Sequence, residues 1–188
     1  KTQLTGWKRF FSNAWAMAFI VLLLGSLYYS IAAPVSKGEL FHKNPSLDGL
    51  AFIGINSPEY RSIAFLNKHA NRDSGLLEAV DESSYYTKGQ FGRVSASTGV
   101  PTVLGWPGHE SQWRNSAGSY LGRQKDVERI YSTLDVEEAK QLLSKYDLTY
   151  VYIGPLERKA YGEKGLQKFS TFMELQFHEG TVSIYKWM

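Results

Sequence analysis

Residues 10–36 contain no charged side chain, and this stretch limits what the chain can fold into more than any other. From Ala14 to Ala33 it reads Ala-Trp-Ala-Met-Ala-Phe-Ile-Val-Leu-Leu-Leu-Gly-Ser-Leu-Tyr-Tyr-Ser-Ile-Ala-Ala. About 20 such residues, rising 1.5 Å each, match the roughly 30 Å hydrocarbon core of a bilayer. Trp7, Phe10, Phe11 and Trp15 gather at one end, Tyr28 and Tyr29 near the other, as aromatic belts do at two interfaces. Pro34 is expected to close the helix. A buried core helix and a secretory signal are the competing readings. The run is long for a signal, and Ser30-Ile31-Ala32-Ala33 only loosely resembles a cleavage site. Length and lack of charge favour a transmembrane helix.

The flanks set the expected orientation. Lys1, Lys8 and Arg9 precede the apolar run without an acid, and Lys37 and Lys43 follow it. That bias places the start of the chain in the cytoplasm and the rest outside, at the cell membrane with an extracytoplasmic domain. The chain then divides into a flank and transmembrane helix at 1–36, a linker at 37–57 and a soluble domain at 58–188.

Charge excludes one class of partner. The chain has 21 basic and 18 acidic residues, and three of the basic ones precede residue 10. The remainder is neutral, so it has no electrostatic footprint for nucleic acid. With no Cys and four His (42, 69, 109 and 178), neither a metal site nor a cofactor is expected. His109-Glu110-Ser111-Gln112-Trp113 opens like a zinc-protease helix, but Trp stands where the second His would have to be. A hydrolase elbow, a P-loop and a dinucleotide fingerprint are all missing.

Periodicity in the soluble part predicts an α/β fold: a layered mixed sheet of about five strands with flanking helices, preceded by the transmembrane helix. Ser57-Pro58 starts a helix running to about Ala70. Residues 75–80 read as a strand interrupted by Glu78, a carboxylate either in solvent at an edge or at the mouth of the sheet. Residues 81–90 read as a loop. Val100 to Leu104 reads as a buried strand, followed by a turn-rich loop to Arg114 and a mobile loop at 115–124. Lys125 to Tyr131 reads as a helix with Val127, Ile130 and Tyr131 inward. Asp135 caps the next helix, whose inner face is Val136, Ala139, Leu142, Leu143 and Tyr146, and Glu138 is expected to reach back to it. Thr149–Gly154 is a strand, Leu156–Tyr161 a short helix or turn, and 165–172 another. Residues 173–187 form a hairpin turning at Glu179-Gly180. Strands near 76, 102 and 151 should pair in parallel.

The residues that suit a ligand are Glu78, Arg93, Trp106, His109, Glu110, Gln112, Trp113 and Arg114. Aromatic faces beside forked donors and acceptors suit a sugar, whose CH face stacks and whose hydroxyls need partners. The competing reading is a structural loop with its Trp side chains packed on the core and Glu110 paired with an Arg.

These residues carry a resemblance. Ser46-Leu47-Asp48-Gly49-Leu50, Glu78-Ala79, Gly92-Arg93-Val94-Ser95, Thr98-Gly99 and Gly105-Trp106 with His109-Glu110 and Gln112-Trp113-Arg114 look like the C-terminal part of the YYY-type multi-pass membrane protein family. Asp126-Val127, Ile130-Tyr131, Tyr150-Val151-Tyr152-Ile153-Gly154, Leu156-Glu157-Arg158 and Tyr161 continue it, so that it covers most of 46–172. Members of that family resemble GT-C-type glycosyltransferases, which use lipid-phosphate-linked sugars. The resemblance implies a last transmembrane helix followed by an external domain. It implies the bilayer, the rest of a polytopic protein and a lipid-linked sugar or glycan acceptor as partners. It also implies that the catalytic carboxylate lies in an earlier loop, outside this chain.

Overall fold

The computed structural model describes residues 6–37, 47–71, 73–81, 91–116 and 118–187. The loop expected at 81–90 lies outside them except for Asp81. The chain divides into two units, Lys1–Asp48 and Gly49–Met188.

In the first unit, α1 (Gly6–Lys37) is long and apolar enough to cross a membrane. None of its side chains is buried. Trp7 stacks on Phe11 at 5.8 Å and Trp15 on Phe19 at 5.7 Å. Pro34 does not end the helix but lies inside its last turns. Proline removes only its own amide from the ladder, so one more turn can form beyond it.

The second unit is a four-stranded mixed sheet with helices on both faces. Its elements are α2 (Pro58–His69), β1 (Gly75–Leu77), α3 (Arg93–Thr98), α4 (Pro107–Arg114), α5 (Gly118–Ser132), α6 (Val136–Lys145), β2 (Leu148–Ile153), α7 (Pro155–Tyr161), α8 (Glu163–Leu166), α9 (Phe169–Phe172), β3 (Glu174–Glu179) and β4 (Val182–Lys186). The strand order is β1-β2-β4-β3, with β1 and β2 parallel and the other pairs antiparallel.

Alternation along the strands makes two cores. Leu76, Tyr150, Tyr152, Val182 and Ile184 face Ile63 and Leu66 of α2 and Val94 of α3. Leu77, Val151 and Ile153 face Val127, Ile130 and Tyr131 of α5, Leu143 of α6, and Phe169. Successive strand side chains point to opposite faces, so a strand covered on both faces is apolar at most positions, as β2 is apart from Thr149. Each such buried aliphatic side chain contributes about 1.5–3 kcal/mol. Leu50 and Ile53, ahead of α2, pack against the first of these cores.

Local chemistry accounts for the helix ends. Ser57 Oγ accepts the Tyr60 amide at 3.1 Å, with Pro58 in the first turn. Asp135 Oδ1 accepts the amides of Glu137 and Glu138 at 2.9 and 3.3 Å. Glu138 does not reach back. The Asp135 amide goes to Thr133 Oγ1, and Glu138 accepts from Thr133 Oγ1 and pairs with Arg129.

Three further sequence expectations are corrected. Val100–Leu104 is not a strand: its contact with β1 is one parallel bridge, Leu76 to Thr102, and a hydrogen bond from the Leu76 amide to Pro101 O at 2.8 Å. Pro101 has no amide to extend a ladder, and Gly99 is left-handed. The layered mixed sheet with flanking helices is as expected, with four strands among the described residues where about five were expected. Second, 107–114 is a helix rather than a loop, begun by Pro107 and ended by left-handed Asn115. Third, most of 115–124 belongs to α5, whose buried Val127, Ile130 and Tyr131 anchor it from the other end.

Candidate functional site

The proposed ligand residues fall in two places. Glu78 and Arg93 lie in a buried polar network where β1 and β2 end. The other six are on or beside α4.

The network begins with a helix that cannot cap itself. Gly92, at the N-cap of α3, has no side chain to meet the first amides. Glu78, the residue after β1, does so instead: its carboxylate accepts Val94 N at 3.1 Å and Ser95 N at 3.0 Å. Glu78 is fully buried, which rules out a carboxylate at an edge in solvent. Burial raises its pKa, although hydrogen bonds from Ser95 and Val94 pull it down. The nearby Glu157 adds to the rise.

Glu157 in α7 repeats the arrangement on the next strand. It is fully buried and accepts Gly154 N at 2.9 Å at its own helix start and Ala79 N at 3.1 Å after β1. Tyr131 ties the two strand ends, its hydroxyl 2.7 Å from Tyr152 O and 3.1 Å from Leu77 O. Its ring stacks on Tyr161 at 4.6 Å. Burial raises the pKa of both phenols, that of Tyr161 to about 12.

Arg93 closes the network. Its Nε donates to Glu59 Oε1 at 2.9 Å, Nη2 contacts the same oxygen, and Nη2 lies 3.8 Å from Glu157 Oε2. The guanidinium carbon is 5.5 Å from the centre of the Tyr152 ring. Burial opposes the Arg93 cation, but Glu157, Tyr152 and Glu59 outweigh it and hold the guanidinium pKa above its ordinary value. Charges this buried persist because they are paired and hydrogen-bonded.

Trp106 links the two places. Its Nε1 donates to Phe91 O at 2.9 Å, and its indole lies against Gly92. An added Cβ on Gly92 would come 2.6 Å from Nε1, and Gly92 has a φ of +77°. Glycine is needed there for both reasons.

Beyond Trp106, α4 brings its side chains together at helical spacing. His109 meets Trp106 edge-on at 5.8 Å and Trp113 at 6.1 Å. With Gly105 and Glu110 these residues line a groove of about 320 Å³ whose walls are almost wholly apolar. Glu110 pairs with Arg114 one turn on. Gln112 and Arg114 are exposed and do not line the groove. Sequence reasoning missed Glu59, Tyr131, Tyr152 and Glu157. Glu59 and Glu157 had a local signal, each just after the proline that opens its helix, where a carboxylate meets a helix start.

No family model matches the chain, and no curated protein matches it. The YYY-type likeness thus remains a resemblance of the residues quoted for it. A crystal structure of the C-terminal globular domain of an oligosaccharyltransferase, AfAglB-S2 from Archaeoglobus fulgidus, is similar at 13% identity and a TM-score of 0.47. The likeness covers 71% of this chain and 98% of that one.

Proposed function

We propose that this chain is the membrane-anchored end of a glycosyltransferase-like membrane protein of YYY type. Its folded unit would lie outside the cell and hold a sugar or glycan acceptor at α4. The observation that carries this reading is the groove of Trp106, His109, Glu110 and Trp113. Flat apolar walls accept the CH face of a pyranose. The Glu110 carboxylate, the acid among the groove's lining residues, supplies an acceptor for its hydroxyls. The chain's own part in chemistry is then positioning, with the catalytic carboxylate elsewhere in the longer protein. The bilayer, a lipid-linked sugar or glycan acceptor and the polytopic remainder are its proposed partners.

The test is titration of the full chain, in a detergent without a sugar headgroup, with maltotriose, mannotriose and chitotriose. At least one should saturate and should transfer magnetisation from Trp or His ring protons. Absence of binding across all three removes the sugar reading.

One observation favours a second reading, a non-catalytic structural domain. Glu78 and Arg93 are buried and engaged with the scaffold, and Trp106 is fixed by Phe91 and Gly92. Under that reading the trisaccharides do not bind and α4 packs on the membrane portion.

A further inference from the structure

A second cleft lies beside the first residues of β1 and β2. It has a volume of about 250 Å³ and is lined chiefly by Pro101, Thr102, Val103, Arg123, Tyr146 and Leu148. It shares no lining residue with the groove on α4.

Two polar groups at this cleft serve no contact within the fold. Thr102 Oγ1 is buried and has no hydrogen-bond partner. A buried hydroxyl left unpaired costs free energy, which a ligand that pairs it offsets. Thr102 is held at the edge of β1 by its bridge to Leu76 and by the hydrogen bond from the Leu76 amide to Pro101 O. Arg123 is the other group. Val127, Ile130 and Tyr131 form the buried stripe of α5, and one turn earlier that stripe reads Arg123. Helical spacing thus sets a cation where the core gives way to the cleft. Arg123 is exposed, and it makes no ion pair or hydrogen bond among the described residues.

A guanidinium fork and a hydroxyl lining one cleft offer donors to an oxyanion. Pro101, Val103, Leu148 and the Tyr146 ring add apolar wall. Asp126 is close, but its Oδ2 already accepts the Tyr146 hydroxyl at 2.5 Å and Lys145 Nζ at 2.6 Å, so its charge is balanced. The volume suits a small molecule, since sites for drug-sized ligands begin at about 300 Å³.

We infer that this cleft binds a small monocarboxylate. The carboxylate meets Arg123 and Thr102 Oγ1, and a short apolar tail lies against Val103, Leu148 and Tyr146. The site depends neither on sugar binding at α4 nor on the membrane reading of α1.

The test titrates the full chain, in a nonionic detergent, with butyrate, inorganic phosphate and n-butanol. Butyrate should saturate, raise the Tm and exchange magnetisation between its methyl protons and a Tyr ring. Phosphate lacks the tail and butanol the charge, so each should bind at least about tenfold more weakly. Arg123→Gln should weaken butyrate at least about tenfold. Lys125→Gln, exposed on α5 at a separate cleft, should leave it unchanged. Thr102→Val separates binding from structure. It removes an unpaired hydroxyl, so without ligand the denaturant midpoint should hold or rise while butyrate binds severalfold more weakly. Failure of butyrate to saturate overturns the proposal, as does parental affinity in Arg123→Gln or phosphate binding as tightly as butyrate. A midpoint that falls in Thr102→Val overturns it too, because the hydroxyl would then be structural. No sugar is used, so failure here and failure of the sugar reading are separable.

Discussion

The ends of β1 and β2 and the outer side of α4 use the same residue types for opposite ends. Both pair glutamate with arginine beside aromatic rings. At the strand ends, Glu78 and Glu157 are sealed from water and each accepts two backbone amides. Arg93 lies among them at 4% exposure. On α4, Glu110 and Arg114 keep 27% and 55% of their side-chain surface. Burial decides the role. A buried ion pair that is broken leaves a stranded charge, whereas an exposed one is replaced by water. The first region is sealed into the scaffold; the second keeps its ion pair in reach of water.

The largest effect is expected from Arg93→Met, which strands Glu157 and part of Glu59 in the interior. It should cost about 3–5 kcal/mol, read from the denaturant midpoint of the full chain. Gly92→Ala sharpens the comparison where the regions touch. It forces a Cβ into a left-handed position against the Trp106 indole and should cost about 2 kcal/mol, with altered indole emission.

Lys168 tests the scaffold through pH. It is buried, with Nζ 3.0 Å from Tyr131 O and 2.6 Å from Gly165 O, and burial lowers its pKa from 10.5 to about 8. Between those values the unfolded chain holds more protons at this site than the folded one, so stability should rise with pH across that window. Melting temperatures of the parent should show the rise, and Lys168→Met should lose it. The smallest stability effect belongs to Glu110→Gln, under about 1 kcal/mol for an exposed pair. A cost as large as that of Arg93→Met would erase the distinction between the regions.

How much was legible in sequence follows the range of the interactions. Ser57-Pro58 and Asp135 cap helices with atoms two or three residues away, and both were readable. β2 and the final hairpin were readable from composition and alternation. The start of α3 was not, because its cap is Glu78, more than a dozen residues upstream. The stretch at 100–104 looked like a strand because Val103 and Leu104 are buried, yet Pro101 cannot extend a ladder. For α4, Pro107 was a usable start signal that the surrounding Gly and polar residues obscured. The early part of α5 is small and polar, and its helicity depends on packing further along. The meeting of Trp106, His109, Glu110 and Trp113 followed once 107–114 was a helix, since 106, 109, 110 and 113 share one face. The departure of Glu78 and Arg93 into the interior required the tertiary fold.

The most direct test compares trisaccharide affinity in the parent, His109→Ala and Glu110→Gln chains, with each denaturant midpoint measured alongside. The account predicts at least about tenfold weaker binding in both variants, a loss of about 1.4 kcal/mol, at nearly unchanged midpoints. Parental affinity in both variants, or weaker binding only where the midpoint also falls, would contradict it.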